Sequence, residues 1–252
     1  MCTTQIDACL KTIKQIALLH PMHNILPPNA RHVSTGFPTL DQMTGGLQTG
    51  DLIVVAARPG LGKTAFSASV AKHISLKEKL PVAWFPMEIE GTSKLDLSDL
   101  SAATRTLHEQ HGQLGLVVVD YLQLMCDLKH DGESCATELS KILCGLKLLA
   151  KDLRCPVIVL SQVNRSVEVR RDKRPMLSDL REVGAIELHA DVVMIVYRDN
   201  YYYRNSSRDP EVVEIIIAKN RRGPKGTVEL AFNRSLAKFE SLEGAPSASD
   251  SV

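Results

Sequence analysis

The chain has 252 residues, 44% of them hydrophobic, so it is long enough to bury the core of one large domain or two small ones. Its 30 Lys and Arg residues stand against 29 Asp and Glu residues, which excludes a generally basic nucleic-acid-binding protein, and any basic surface must be local. No apolar run approaches the roughly 18 residues of a membrane span, and the N-terminus shows no secretion signal, so we expect a cytoplasmic protein with no membrane partner.

Residues 1–30 predict a helix followed by a linker. Apolar residues recur at helical spacing from Ile6 to Leu18, and three prolines between Pro21 and Pro28 end the pattern. An amphipathic helix needs a partner for its apolar stripe. It packs either on its own domain or on a neighbouring subunit, and the pattern alone favours neither.

Residues 31–242 predict one α/β domain, and residues 243–252 predict a disordered tail. Apolar runs and amphipathic stripes alternate along the domain, which indicates a mainly parallel sheet flanked by helices. Core strands are expected at 52–56, 82–87, 116–120, 156–162 and 191–197, helices at 98–111 and 139–153, and a β-hairpin from 212–218 and 227–232. In such sheets, ligands bind at the carboxyl ends of the strands.

A phosphate-binding loop follows the first of these strands. It consists of Ala57, Arg58, Pro59, Gly60, Leu61, Gly62, Lys63 and Thr64. Gly60 and Gly62 let successive backbone N–H groups curl around a phosphate chain at the start of a helix. Lys63 reaches the β- and γ-phosphates, and the Thr64 hydroxyl is placed to ligate Mg²⁺. The loop therefore predicts binding of a nucleoside triphosphate with Mg²⁺.

Polar side chains stand where three other predicted strands end. Asp120 follows four apolar residues and has the form of a carboxylate that holds Mg²⁺. Glu88 is a candidate general base for an attacking water, and Gln162 is a candidate sensor of the γ-phosphate. Each also has a plainer interpretation, because acids are common at strand ends and a lone Gln is more often a structural hydrogen-bonding residue.

Basic residues cluster in two loops. Residues 165–174 hold five cations against Glu168 and Asp172, which favours contact with a phosphate backbone. Residues 219–225 carry four cations and no acid on the predicted hairpin turn. A solvated charged loop is the plain interpretation of both, although the hairpin also suits a cation that reaches into a neighbour's active site.

Several motifs occur in a diagnostic order. They are Ser161-Gln-Val-Asn-Arg-Ser166, Ser178-Asp-Leu-Arg-Glu182 and Ile215-Ile-Ile-Ala-Lys-Asn-Arg-Arg-Gly-Pro224, after the phosphate loop and Asp120-Tyr-Leu-Gln-Leu-Met125. With them the chain, from Val33 to about Glu240, resembles the C-terminal motor domain of the DnaB-type replicative DNA helicase. The resemblance implies a RecA-like P-loop ATPase fold and ATP and Mg²⁺ as cofactors. It also implies single-stranded DNA as a partner and a homo-oligomer in the form of a hexameric ring.

The resemblance implies a role in ATP hydrolysis for each matching residue. Lys63 and Thr64 would bind phosphate and Mg²⁺, and Asp120 would hold the metal. Glu88 would activate water, and Gln162 would couple the γ-phosphate to the DNA-binding loop.

Two further groups of residues match motifs that act outside the phosphate loop. Arg181, Glu182 and Gly184 fall on the motif that grips the backbone of single-stranded DNA in the channel of the ring. Lys219 and Arg221 match the pair inserted into the adjacent subunit's nucleotide site, with Arg221 as the catalytic arginine finger. The N-terminal helix resembles the segment that docks on the next subunit.

The chain departs from the family in two places. No counterpart of the N-terminal domain that recruits primase is present, so primase contact is not expected through such a domain. The span from Glu88 to Asp120 is much shorter than in family members, and residues 94–97 are the one strand expected within it. The short span predicts a sheet that lacks a central or adjacent strand.

The sequence thus predicts an ATP-dependent DNA helicase motor of the replicative ring type. It would hydrolyse ATP at subunit interfaces, translocate on single-stranded DNA and unwind duplex DNA during replication. The alternative is a catalytically degenerate subunit that binds ATP or DNA and regulates or joins a full-length ring. The short span after Glu88 is the feature that favours this alternative.

Overall fold

The computed structural model describes residues 31–86, 96–120, 122, 135–181, 183–203 and 211–242, together with the backbone of residues 17–19. Most of the predicted N-terminal helix, the predicted tail, Glu88 and Glu182 lie outside these residues. None of the described helices is both long and apolar enough to cross a membrane.

The described elements alternate between strands and helices. In chain order they are β1 (Ala17–Leu19), β2 (His32–Val33), α1 (Pro38–Thr44), β3 (Leu47–Gln48), β4 (Leu52–Ala57), α2 (Lys63–His73), β5 (Val82–Pro86), α3 (Leu97–His111), β6 (Leu116–Asp120), α4 (Cys135–Asp152), β7 (Val157–Gln162), α5 (Val183–His189), β8 (Val192–Tyr197), α6 (Asp199–Tyr202), β9 (Val212–Asn220), β10 (Gly226–Asn233) and β11 (Lys238–Ser241). A π-helical turn, Ile74–Glu78, extends α2, and short 3-10 turns lie at Arg165–Val169 and Leu177–Asp179.

One large sheet has the strand order β1-β5-β6-β7-β4-β8-β9-β10-β11. Neighbouring strands from β5 to β8 are parallel, whereas the strands at both margins pair in the antiparallel sense. Parallel strands are typical of sheets that are covered on both faces, and the central strand β4 is such a strand, since all six of its residues are at most 1% exposed. The predicted α/β fold with a mainly parallel sheet and a C-terminal hairpin is confirmed.

Each face of the sheet carries its own apolar core. Leu52, Val54 and Ala56 join the cluster under α3, α4 and α5, whereas Ile53, Val55 and Ala57 join the cluster under α1 and α2. This alternation follows from the two-residue period of a strand. Helices therefore cover both faces of the sheet, so the polar residues of the candidate site lie at the ends of the strands and not on the faces.

The short span after β5 does not interrupt the sheet. Val82–Pro86 pairs directly with Leu116–Asp120 over five residues, and α3 supplies the crossover between these parallel strands. The strand expected at 94–97 is wrong for Asp96 and Leu97, because the Asp96 side chain accepts a 2.8 Å hydrogen bond from the Asp99 N–H and caps α3. The expectation of a missing central strand is also wrong, whereas that of a missing adjacent strand stays a prediction.

The outer edge of β5 is covered by β1. Ala17 lies opposite Trp84 and Leu19 opposite Val82 in an antiparallel pair. The predicted helix is therefore wrong at Ala17 and Leu18, since an extended segment pairs with the N–H and C=O groups of an open sheet edge and a helix does not. Residues 6–16 of that prediction lie outside the described part of the chain.

Candidate functional site

The phosphate loop joins the end of β4 to the start of α2. Gly60 has φ 79° and Gly62 has φ 100°, backbone conformations that other residues rarely adopt. A Cβ atom added to Gly62 would also lie 3.3 Å from the Phe239 ring. The chain thus leaves the core strand, turns through two left-handed glycines and presents the N–H groups of the first turn of α2 to an anion.

Thr64, Lys63 and Asp120 form the centre of the candidate site. Thr64 Oγ1 donates a hydrogen bond to Asp120 Oδ2 at 3.1 Å, and Lys63 Nζ lies 3.7 Å from Asp120 Oδ1. Hydroxyl and carboxylate oxygens are ligands that Mg²⁺ prefers, so this donor set fits the predicted metal. In the described part of the chain, no group of three or more His, Cys, Asp or Glu could hold a metal alone. Phosphate and water oxygens would complete the coordination.

Gln162 stands beside the start of the phosphate loop. It ends β7 and pairs in register with Ala57, the last residue of β4. The next residue, Val163, donates its N–H to the Ala57 carbonyl at 3.1 Å. The position suits the predicted γ-phosphate sensor, whose role stays a prediction, as does that of Glu88, which lies outside the described residues.

The Arg58 side chain ties the phosphate loop to the segment after β7. Its Nε donates to Glu168 Oε1 at 2.7 Å, and its Nη1 donates to the Val163 carbonyl at 3.2 Å. The sequence places Arg58 in the phosphate loop and Glu168 among the acids of a basic segment, but it does not predict the contact between them. No local pattern links two residues so far apart in the chain.

The predicted DNA-binding residues begin next to this segment. Val163 forms an isolated antiparallel bridge with Leu180, and the exposed Arg181 follows directly. Gly184 lies in the first turn of α5 without a left-handed φ, and a Cβ atom added there would meet no described atom within 4 Å. Nothing in the described fold therefore requires glycine at this position.

Lys219 and Arg221 lie where the parallel strands begin, at the end of the sheet opposite the one that carries the phosphate loop. Because β9 is antiparallel to β8, its last residue, Asn220, pairs with Val192 at the start of β8. Roughly 17 Å of strand separates the two ends of β4, so neither cation reaches the phosphate loop of its own chain. Of the described residues predicted to be catalytic, the structure brings the others together and leaves this pair apart.

Both cations bind the C-terminal end of α5. Lys219 Nζ donates to the carbonyls of Glu187 and Ala190 at 2.5 and 2.6 Å, and Arg221 Nη2 donates to the Leu188 carbonyl at 3.0 Å. Cations are favoured at this negative end of a helix. Burial and the neighbouring Arg221 lower the pKa of Lys219.

A model of the "DnaB-like helicase C terminal domain" family matches the chain in two segments, residues 32–93 and 85–241. These segments cover most of the chain and include the phosphate loop, Asp120 and the hairpin. The chain belongs to the DnaB-like helicase C-terminal domain family. The resemblance predicted from the motifs is thereby confirmed.

Curated relatives are replicative helicases. The replicative DNA helicase DnaB of Geobacillus stearothermophilus is 38% identical over 285 residues, and the replicative DNA helicase DnaC of Bacillus subtilis is 36% identical over 285 residues. Each match covers 94% of this chain but 62% of the relative, so the chain spans less than two thirds of their length. The aligned stretch exceeds the chain's 252 residues, and the two segments of the family match overlap at residues 85–93, which begin within β5.

Solved structures of similar proteins share the fold. A DnaB-like replicative helicase, described with its interactions with primase, is 31% identical with a TM-score of 0.77, and the match covers 96% of this chain and 67% of its own. A separately solved ATPase domain gives the same identity and TM-score and covers 96% of this chain and 99% of its own. The KaiC-like protein PH0186 from Pyrococcus horikoshii OT3, at 13% identity over 83% of this chain and 98% of its own, has a TM-score of 0.60 and shares the fold. The RecA-like fold is confirmed.

Proposed function

We propose that this chain is an ATP-dependent DNA helicase motor of the replicative ring type. It hydrolyses ATP at subunit interfaces, translocates on single-stranded DNA and unwinds duplex DNA during replication. One observation carries the proposal: Lys63 and Arg221 lie at opposite edges of the same sheet. A single chain therefore holds two halves of an ATPase site that meet only when two chains are adjacent.

The phosphate loop and its neighbours form the half of the site that holds ATP. Lys63 binds the β- and γ-phosphates, and Thr64 and Asp120 hold Mg²⁺, whose bound charge neutralises phosphate oxygens. Glu88 takes the proton of the attacking water. Gln162, next to the loop in the sheet, responds to the γ-phosphate. The short hydrogen-bonding distance between Thr64 and Asp120 supports this assignment.

A neighbouring subunit supplies the other half of the site. Arg221 stabilises the charge that develops on the transferred phosphoryl group, and Lys219 binds the same phosphates. Their position at the end of the sheet opposite the phosphate loop, with Arg221 exposed on the turn after β9, supports insertion into the next subunit. When the Arg221 turn of each subunit contacts the phosphate loop of the next subunit, repetition of this contact closes a ring. We propose that the ring is a hexamer and that it acts in the cytoplasm.

Single-stranded DNA binds at the start of α5. Arg181 and Glu182 contact the backbone of the strand, and Gly184 lets that backbone approach the helix closely. The open space beside Gly184, which no fold requirement explains, supports this role. The bridge between Val163 and Leu180 links the DNA-binding residues to the strand that ends at Gln162.

The interface proposal is tested by mixing two inactive variants. Lys63→Ala protomers lack a working phosphate loop but keep Arg221, whereas Arg221→Ala protomers keep the loop but lack the finger. Each alone should show about 1,000-fold less DNA-stimulated ATPase than wild type, the lower end of the contribution of an arginine finger. The mixture should regain activity, because it contains interfaces with an intact loop and an intact finger.

Two results would contradict the proposal. A mixture as inactive as its components would show that Arg221 does not act across an interface. A wild-type protein that binds ATP but hydrolyses it no faster than Lys63→Ala would identify the chain as a degenerate subunit of a larger ring.

A further inference from the structure

Five charged side chains meet where β4 and β8 begin, at the edge that carries Arg221. The carboxylates of Asp51 and Asp191 are 2% and 4% exposed. Lys147 lies between them, with Nζ 2.5 Å from Asp191 Oδ2 and 3.5 Å from Asp51 Oδ1. Arg222 Nη2 donates to Asp51 Oδ1 at 3.0 Å, and Arg221 is the fifth member.

The cluster binds two of its three cations tightly and one loosely. Lys147 and Arg222 make hydrogen bonds to the buried carboxylates, whereas the nearest nitrogen of Arg221 lies 3.7 Å from Asp191 Oδ1, too far for one. Arg221 is also 51% exposed. Two carboxylates are balanced by Lys147 and Arg222, so the departure of Arg221 leaves neither acid unpaired, which in a buried site would be costly.

Backbone contacts fix the hairpin turn to the same place. The Arg221 N–H donates to the Asp191 carbonyl at 2.9 Å, and Asp191 Oδ2 accepts the Leu52 N–H at 2.9 Å. Lys147 Nζ also donates to the Gly50 carbonyl at 2.6 Å. The main chain of Arg221 is therefore held by Asp191, which in turn binds the start of β4, while the Arg221 side chain makes no hydrogen bond to either carboxylate of the cluster.

We propose that Asp51, Lys147, Asp191 and Arg222, here called the support cluster, position Arg221 for the active site of the neighbouring subunit. Arg222 is then a positioning residue and not a second finger. The inference rests on the proposed function, since it takes a site shared between subunits as given. It adds that the finger is positioned by residues beside the starts of β4 and β8, and that the other end of β4 leads into the chain's own phosphate loop.

The balance of charges within the support cluster makes Arg222 important for Asp51. Burial and the nearby Asp191 raise the pKa of Asp51, and Arg222 and Lys147 act against this rise. Loss of Arg222 leaves Asp51 with one weaker cationic contact, at 3.5 Å from Lys147. The turn then loses its side-chain hydrogen bond to Asp51.

The test uses Lys63→Ala protomers as donors of the finger and Arg221→Ala protomers as acceptors. Mixtures whose donors also carry Arg222→Gln or Asp51→Asn should show a kcat about 100-fold lower than mixtures whose donors carry only Lys63→Ala. A misplacement of a catalytic group by about 1 Å costs that much. KM for ATP should not change, since the acceptor's phosphate loop is intact. Lys225→Gln, which removes an exposed cation from the same turn, is the matched control and should leave rescue intact.

A second arrangement controls for folding. Acceptors that carry Asp51→Asn with Arg221→Ala should still be rescued by Lys63→Ala donors, because their phosphate loop is not changed. Loss of acceptor function there, or a rescue by Arg222→Gln donors equal to that by Lys63→Ala, would overturn the inference.

The Asp51→Asn donor decides whether Arg222 acts directly. If it rescues fully while the Arg222→Gln donor does not, Arg222 itself enters the neighbouring site and the support role is wrong. Failure of the plain Lys63→Ala donor would overturn the proposed function, and this inference with it.

Discussion

The Oγ1 hydroxyl of Thr64 donates a hydrogen bond to Oδ2 of Asp120 across 3.1 Å, although Thr64 follows β4 and Asp120 ends β6, two strands that are not neighbours in the sheet. Strand β7 lies between β4 and β6. The contact forms within one chain, so the half of the site proposed to hold Mg²⁺ needs no neighbouring subunit for its assembly. The finger half is not, since Arg221 lies at the other edge of the sheet.

Asp120→Asn should reduce the maximal ATPase rate by at least about 100-fold, comparable to removal of one key electrostatic contact in an active site. The amide keeps the shape of the side chain but removes the charge that attracts Mg²⁺. Nucleotide affinity in EDTA should stay within a factor of about two. The measurements are ATPase rate against Mg²⁺ concentration and fluorescent-nucleotide binding.

Asp152→Asn is the control for this substitution. Asp152 pairs at the surface with Arg105, and both side chains are about half exposed, so the pair contributes little to stability. An Asp120→Asn protein with wild-type Mg²⁺ dependence would exclude Asp120 as a metal ligand.

Gly184→Ala should stabilise the fold by up to about 1 kcal/mol, since alanine is the better helix former and an added Cβ meets no described atom. The same change should weaken binding of single-stranded DNA, because the methyl group would lie where the DNA backbone approaches. Urea unfolding and fluorescence anisotropy with an oligonucleotide measure the two effects. Unchanged DNA affinity would remove Gly184 from the DNA-binding site.

Glu168→Gln should lower the stimulation of ATPase by DNA while the rate without DNA stays within about twofold. The ion pair with Arg58 is partly exposed and contributes about 1 kcal/mol at most, so the fold should persist. Its loss should loosen the link from the phosphate loop through Val163 and Leu180 to Arg181. The measurement is ATPase rate against oligonucleotide concentration.

Asp172→Asn removes the same charge from the same basic segment without touching Arg58, because Asp172 contacts Arg174. It should leave DNA stimulation unchanged. Equal effects of the two substitutions would point to the charge of the segment and not to the Arg58 contact.

His189 should make the fold less stable below about pH 6.5, near the ordinary pKa of histidine. Burial, then Arg221 and Lys219, lower its pKa in the folded chain. The unfolded chain therefore takes up a proton in this range that the folded chain does not, and stability falls as pH falls. His189→Gln, whose amide can still bond to Ser140, should flatten this dependence.

The measurement is urea unfolding at several pH values between about 5 and 8, where histidine titrates. Burial also lowers the pKa of His108, so part of the dependence should remain in His189→Gln. His32→Gln, at an exposed position, is the control and should behave as wild type. An identical slope in wild type and His189→Gln would show that His189 is not responsible.

The positions of the parallel strands were predictable because burial on both faces leaves a continuous apolar run, as in 52–56 and 116–120. The helix α1 was not predicted, because Pro and Gly are also the residues most typical of turns. In the structure Pro38 occupies the first turn and Gly45, with φ 72°, ends the helix, a recognised start and stop pattern. β11 was missed because Phe239 is its one buried apolar residue.

The candidate site could likewise be predicted only in part. Lys63, Thr64 and Asp120 could be grouped from sequence because the carboxyl ends of parallel strands meet at one edge. The contacts Arg58–Glu168 and Asp51–Arg222 could not, because they join residues more than a hundred positions apart and leave no local period. Such pairs become visible only when strand order is known.

The position of β5 in the strand order explains how this domain accommodates a shorter chain than its relatives. β5 is the last of the parallel strands and lies at their margin, and the shortened span follows it, so β6, β7, β4 and β8 remain contiguous. At that margin Pro86 has no N–H to donate, and β1 pairs with the preceding residues. We therefore expect the shortened margin to resist edge-to-edge aggregation.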